Sequence, residues 1–281
     1  MNKFGGNWTE QKIEMVVGYA KAYLTIMNKY PRFKTLYFDG FAGSGSIYKE
    51  EGEDIELIKG TAVRILEIEH PKAFDVYYFV EKSEKNKNEL QALINVDFIG
   101  KTCHVVNDDC NNRLISMARF LKDNTSFRVL AFIDPYGMAL NWNSLERLKG
   151  LGIDVWILVP TGIGVNRLLK KDGHISDAWV QKLEKFLGLS REKIVEYFYK
   201  SKTIQTLFGE ETNIAKEKQT IEKAALLYKQ RLNEIFAYVS EPLPLKNSTG
   251  SAMYHFMMAT NNKAALNIAN DIIKPKRKKN G

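Results

Sequence analysis

The sequence predicts an α/β protein with a doubly wound, mostly parallel sheet of seven strands. Three observations carry that reading. Short apolar runs alternate with helical periodicity five times within the first 160 residues. Two of those runs, 129–133 (VLAFI) and 155–159 (VWILV), barely alternate, which fits strands covered on both faces. Two later runs, Phe236–Val239 and Met253–Met258, are joined by too little chain for a crossover helix, so they should pair as an antiparallel hairpin.

Each element has its own warrant. Thr9 is placed to cap a first helix, with Ile13, Val16, Val17, Ala20, Tyr23, Leu24 and Met27 at helical spacing and Pro31 as its stop. Thr35–Phe38 is the first strand and runs into a glycine-rich turn, Asp39–Gly45. A helix is expected over 56–69, with the polar 50–54 segment as an exposed loop before it. Phe74–Val80 reads as a buried strand ending in Glu81, followed by a helix over 83–95. His104–Val106 is a short strand ending in Asn107, Asp108 and Asp109, with a helix over 111–122. Arg128–Ile133 ends in Asp134-Pro-Tyr-Gly137. A short helix over 143–149 is broken by Gly150 and Gly152, and Ile153–Val159 is the fifth strand.

This divides the chain into one domain formed by 1–160 and 235–270, an insertion over 161–234, and a basic tail over 271–281. A crossover helix needs only about 12–15 residues. The rest of the insertion should therefore be additional helix. It is rich in Lys and in aromatics: Trp179, Phe186, Tyr197, Phe198, Tyr199 and Phe208.

Composition narrows the class. The chain has 281 residues, 44% of them hydrophobic and 26% charged, which excludes a disordered chain. No apolar stretch approaches the roughly 20 residues of a membrane span. The first residues lack the apolar core of a secretory signal, so a cytoplasmic location is expected. Two cysteines, Cys103 and Cys110, are too few for a disulfide framework or a zinc site, and the four histidines are scattered, so no metal is expected. Residues 1–160 hold 20 Lys and Arg against 21 Asp and Glu. Residues 161–234 hold 14 against 10, and residues 235–281 hold 7 against 2. A neutral first half and a basic second half point to a polyanion partner, most often nucleic acid.

The chemistry concentrates where predicted strands end. Gly43 and Gly45 would let the backbone approach a ligand closely. Asp39 beside them would repel a pyrophosphate and suits a ligand with a cationic amino-acid end, such as S-adenosylmethionine. Glu81 lies 38 residues after Gly43, well beyond the roughly 20 of a dinucleotide fingerprint. It is placed to accept ribose hydroxyls, and Ser83 competes with it as a helix cap. Asp108 or Asp109 would accept the adenine amino group, unless one of them caps the helix that follows.

As a set, Phe38–Gly45, Glu81, Asp108 and Asp134-Pro-Tyr136 resemble the class I S-adenosylmethionine-dependent methyltransferases, as does the late hairpin. More narrowly, several features are similar to the three-Cys-motif partner protein (TcmP) family. They are the Trp8–Lys12 helix start, the FDGFAGSG turn, Gly60-Thr-Ala62, Phe132–Gly137 and Pro160-Thr-Gly162. The resemblance covers most of 1–165 and the hairpin. It implies S-adenosylmethionine as cofactor, bound by Asp39, Phe41, Gly43, Gly45, Glu81, Asp108 and Asp109. It also implies a separate three-Cys-motif protein as partner. Asp134-Pro-Tyr-Gly resembles the acid-Pro-Pro-aromatic motif of amino methyltransferases but lacks the second proline. That brings it closer to the Asp-Pro-Phe-Gly of tRNA guanine-N2 methyltransferases, so RNA is favoured over DNA.

In that reading Asp134 and the Pro135 carbonyl accept both N–H bonds of an exocyclic amine, and Tyr136 stacks on the base. Lys12, on the first helix, would lie over the cofactor. Two rivals stand beside it. One is a cofactor-binding subunit that is inactive without its partner. The other is an NAD-linked enzyme, against which the hairpin and Asp39 both argue.

Overall fold

The computed structural model describes residues 7–51, 54–171, 173–206 and 209–280. The opening segment before Asn7, Gly52 and Glu53 of the expected loop, and Phe208 lie outside the described residues.

Helix α1 (Asn7–Met27) precedes β1 (Lys34–Asp39). Next come β2 (Ser46–Glu51), β3 (Asp54–Lys59), α2 (Thr61–Leu66), β4 (Val76–Glu81), α3 (Glu84–Asp97), β5 (Cys103–Asn107) and α4 (Cys110–Asp123). Then follow β6 (Phe127–Ile133), α5 (Trp142–Glu146), β7 (Ile153–Val159) and a π-helix (Thr161–Asn166). The chain continues through α6 (Asp177–Leu187), α7 (Arg191–Phe198), β8 (Tyr199–Thr206), β9 (Gly209–Lys216) and α8 (Thr220–Leu232). It closes with β10 (Tyr238–Val239), β11 (Leu243–Lys246), β12 (Ala252–Thr260) and α9 (Lys263–Asn280).

The central sheet has the order β10-β12-β7-β6-β1-β4-β5, with β11 also on β12. The β5, β4, β1, β6 and β7 strands run parallel, and β12 is antiparallel to β7. This is the Rossmann-like, mostly parallel class expected from the sequence. The late hairpin forms in two pieces. β10 and β11 both pair with the same side of β12, separated at Ser240–Pro242, where Pro242 cannot donate to the ladder. The apolar runs sit inside as their lack of alternation requires. Leu36, Phe38, Val129 and Val155 face one helical layer, and Tyr37, Phe79, Phe132 and Trp156 face the other. α1, α2, α3 and α9 cover the second face, and α4–α8 cover the first.

Several expectations need correction. α1 begins at Asn7, so Thr9 lies inside it rather than capping it. Residues 46–51 and 54–59 pair as the antiparallel strands β2 and β3, where a loop and the start of a helix were expected. The Gly60 amide donates to the Gly45 carbonyl at 2.8 Å and closes the base of that pair, and Gly60, in extended backbone at ψ 170°, is the N-cap from which α2 starts. Residues 161–234 include the antiparallel pair β8–β9 as well as helices. They do not stand apart either. Leu183, Phe186, Phe198 and Tyr228 share one apolar cluster with the sheet residues Val155 and Ile157. The expected tail is helical as far as Asn280, with Ile273 buried. Its side chains beyond Pro275 lie outside the described set.

Candidate functional site

Three adjacent strands end in acids at one edge of the sheet. Asp39 pairs in register with Phe79 of β4 and with Phe132 of β6. Glu81 and Asp134 each lie two residues further out, one on either flank. Two strand spacings separate the flanking strands by on the order of 10 Å. Strand alternation decides what each acid meets. Tyr37 and Asp39, two apart, face the same side, and the Tyr37 hydroxyl donates to Asp39 at 3.4 Å.

Asp39 is fully buried. Its carboxylate accepts the Phe41 amide at 3.1 Å. Burial pushes its pKa up to about 7, and the nearby charge of Asp134 adds to the rise. The Phe41 amide, the Tyr37 hydroxyl and Lys12 oppose it. A carboxylate that has lost its water and holds no ion-pair partner among the described residues is one that a cationic ligand group would stabilise.

The glycine turn is tied to the opposite flank. The Gly43 amide donates to Glu81 Oε2 at 2.9 Å, and the Ser83 amide donates to Glu81 Oε1 at 2.7 Å. Gly43 has φ +65° and open space where a Cβ would stand. Gly45 has φ +85°, and a Cβ there would press on Leu90 and Val63 at 3.1 and 3.2 Å. Ser83 caps α3 by accepting from the Asn86 amide, which leaves Glu81 free of that role. Each Glu81 oxygen takes one of the Gly43 and Ser83 amides, and a carboxylate oxygen can accept more than one hydrogen bond.

The acids after β5 are more committed. Asp109 caps α4: it accepts the Asn111 amide at 2.9 Å and meets Lys82 at 3.2 Å. Asp108 accepts the Asp109 amide at 2.6 Å and pairs with Arg113 at 2.7 Å. Capping therefore claims Asp109 in this structure, and Asp108 is held as firmly, by Arg113, the Asn112 side-chain amide and the Asp109 amide.

On the other flank, Asp134 forms an ion pair with Lys12 of α1. Lys12 is buried, and Asp134 is partly accessible. The Lys12 ammonium also lies 5.2 Å from the Trp8 ring centroid. Trp8 packs on Tyr254 of β12 with centroids 5.0 Å apart. Burial pushes the Tyr254 phenol up to about 12, with the Asp134 charge adding to the shift. Pro135 is buried, while Tyr136 is 67% exposed and meets the Phe41 ring edge-on at 6.3 Å.

The structure thus brings Asp39, Phe41, Gly43, Glu81, Asp134 and Tyr136 to one edge. Sequence reading missed Tyr37, Trp8 and Tyr254. The Tyr37–Asp39 spacing of two and the Trp8–Lys12 spacing of four were the available signals. Tyr254 gave none, because its neighbours come from the far end of the chain. Beside this edge the buried Thr161 hydroxyl and His255 Nδ1 share a hydrogen bond at 2.7 Å, and burial holds His255 down to about 4. Among the described residues, no group of three or more His, Cys, Asp or Glu could hold a metal ion. No helix among them is long and apolar enough to cross a membrane.

No protein-family model matches the chain, and no curated protein matches it. Among solved structures, it is similar to a DUF519-family protein of Legionella pneumophila, at 13% identity and a TM-score of 0.45 over 92% of this chain and 99% of that one. It is also similar to Trm1 of Pyrococcus horikoshii, solved with S-adenosyl-L-methionine. The values there are 10% identity and a TM-score of 0.41 over 90% of this chain and 63% of that one. The putative methyltransferase yhhF of Escherichia coli aligns at 12% identity and a TM-score of 0.31, over 71% of this chain and 86% of that one.

Proposed function

We propose that this chain is an S-adenosylmethionine-dependent methyltransferase acting on an exocyclic amine of a nucleic acid base, with RNA favoured over DNA. One observation carries the reading. A buried carboxylate without a salt-bridge partner among the described residues (Asp39) and a ribose-suited acid (Glu81) flank an open glycine turn, while a third carboxylate (Asp134), after the adjacent strand, meets the Lys12 amine of α1.

The residues fit the cofactor. Asp39 would take the ammonium of its amino-acid end, and the Phe41–Gly45 backbone would pass close beneath it. Glu81 would accept ribose hydroxyls, and Asp108 or Asp109 the adenine amino group. When bound, the cofactor supplies an electrophilic methyl group. An exocyclic amine is a weak nucleophile because its lone pair is delocalised into the base. Asp134 and the Pro135 carbonyl would accept its two N–H bonds and so direct that lone pair outward, by positioning and electrostatics. Tyr136 would stack on the base, a contact worth roughly 1–3 kcal/mol. Lys12 already places a nitrogen on Asp134, so the target amine would have to displace it. The basic second half would hold phosphates, and binding would fall steeply with salt.

The ion pair also favours a second reading. A target carboxylate closed by the chain's own lysine suits a subunit that opens only with a partner. The TcmP resemblance would make that partner a three-Cys-motif protein.

The test is transfer of labelled methyl to separate RNA and DNA pools, by the wild type and by Asp134→Ala. Incorporation into RNA that Asp134→Ala abolishes supports the enzyme. Cofactor binding without incorporation into either pool supports the partner-dependent subunit.

A further inference from the structure

The opposite edge of the sheet holds a second cavity, of about 430 Å³, which the proposed reaction does not use. It lies where β6 and β7 begin and β12 ends, between the C-terminal half of α1 and the start of α9. That volume falls within the range of small-molecule sites.

One wall carries a carboxylate. Asp154 of β7 accepts a hydrogen bond from the Tyr19 hydroxyl at 2.8 Å and another from the Thr260 hydroxyl. Both donors are neutral, and among the described ion pairs none includes Asp154. Burial beneath α1 pushes its carboxyl pKa up. Asp154 is half-buried and lines the cavity, each of its carboxylate oxygens taking one of these hydrogen bonds. Nearby, the Tyr23 hydroxyl is buried without a hydrogen-bond partner.

The opposite charge stands one strand over. Val129 pairs with Ile153, so Arg128 lies beside Gly152, two residues before Asp154 and on the same face. Gly152 makes room for it: a Cβ there would come within 3.0 Å of the guanidinium. One end of that guanidinium donates to the Thr125 and Phe127 carbonyls at 2.7 and 2.8 Å. Its plane lies 3.8 Å from the Phe33 ring centroid, and the Arg32 guanidinium lies 4.7 Å from the same ring. Met27, Leu151 and Ile268 give the lining apolar surface, and the exposed Ile26 and Tyr30 add to it.

We propose that this cavity binds a short apolar peptide with free termini, about a dipeptide in length, its ammonium on Asp154 and its carboxylate on Arg128. Length supports this class. Arg128 and Asp154 stand on neighbouring strands with a two-residue stagger, so their Cα atoms lie on the order of 8 Å apart, too far for the ammonium and carboxylate of one α-amino acid, which a single Cα separates. Charge supports it too. A lone amine would leave Arg128 and Arg32 facing a cation, and a lone carboxylate would set a second anion near Asp154.

The test is calorimetric titration of leucyl-leucine into the full chain, beside its N-acetyl form and its C-terminal amide. Asp154→Asn and Arg128→Met are titrated in parallel, and their folding is checked by circular dichroism. The proposal expects saturable binding of the free peptide, at least about tenfold weaker for each blocked form and for Arg128→Met. Asp154→Asn should weaken it equally if that variant folds. No saturable binding at about millimolar peptide would overturn the proposal. So would blocked peptides binding as well as the free one, or affinity unchanged in Arg128→Met.

Discussion

The two halves of the carboxyl edge are built differently. Around Asp39 and Glu81 the partners are backbone amides and a neighbouring tyrosine, fixed by strand and turn geometry. Around Asp134 the partners are a long lysine from another element and an exposed tyrosine. In the proposed reaction the first half would keep its contacts when a ligand binds, and the second would exchange Lys12 for the target group. A pre-organised cofactor half and a displaceable target half suit a reaction in which one substrate is constant and the other arrives on a large polymer.

Breaking the target half should have the largest effect. Asp134→Ala is expected to lower methyl transfer by about 10³-fold, in the range of losing one positioned electrostatic group. Cofactor affinity, read by calorimetry, should stay within a few-fold. A parallel loss of both would mean that the halves are not separate.

Breaking the cofactor half comes next. Glu81→Ala leaves the Gly43 and Ser83 amides without their shared acceptor. A stability loss of about 1–3 kcal/mol is expected in denaturant titration. Cofactor affinity should fall roughly 10- to 100-fold, the equivalent of one or two charge-assisted hydrogen bonds.

The third prediction concerns pH. Asp39 has a pKa of about 7 in the folded chain, and a cationic ligand group needs its ionised form. Cofactor affinity should therefore rise roughly tenfold from about pH 5.5 to 7, a range in which an α-amino group stays protonated. Asp39→Asn should bind weakly with no such rise. The stability sign is opposite. Because the folded pKa is raised, Asp39 contributes most below its unfolded value of about 4. That contribution is lost as pH climbs toward 7.

His255 behaves conversely. Its folded value of about 4 lies below the unfolded value of about 6.5. Its contribution is full above about pH 6.5 and is lost as pH falls toward 4. His255→Gln should flatten that part of the acid unfolding profile, by about 2–3 kcal/mol.

The smallest effect sharpens the comparison. Lys12→Met removes the cation that a target amine must displace. The apparent KM for nucleic acid should fall a few-fold while kcat changes little. An unchanged KM would mean that the ion pair is not in the way.

Most of the frame was legible because parallel strands announce themselves. The runs ending at Asp39, Glu81 and Asp134 are apolar enough to be buried on both faces, and each ends where polarity returns. The β2–β3 hairpin was not legible. Its strands are short and half of their residues are charged, and its base is set by one hydrogen bond between Gly60 and Gly45. Residues 161–234 were read as a separate insertion because their periodicity says helix without saying what the helix covers. Only the fold shows Phe186 and Tyr228 sharing a core with Val155. Position and residue type placed the three acids at strand ends, where the structure has them. The capping of α4 by Asp109 depended on local backbone geometry, and the Lys12–Asp134 pair joins positions 122 residues apart.

The most direct test is calorimetric titration of S-adenosylmethionine, S-adenosylhomocysteine and NAD into the purified chain at about pH 7.5, with Glu81→Ala beside it. The account predicts binding of the first two at about micromolar Kd, clear weakening in Glu81→Ala, and no binding of NAD. Failure of both adenosyl ligands to bind, or NAD binding in their place, would contradict it.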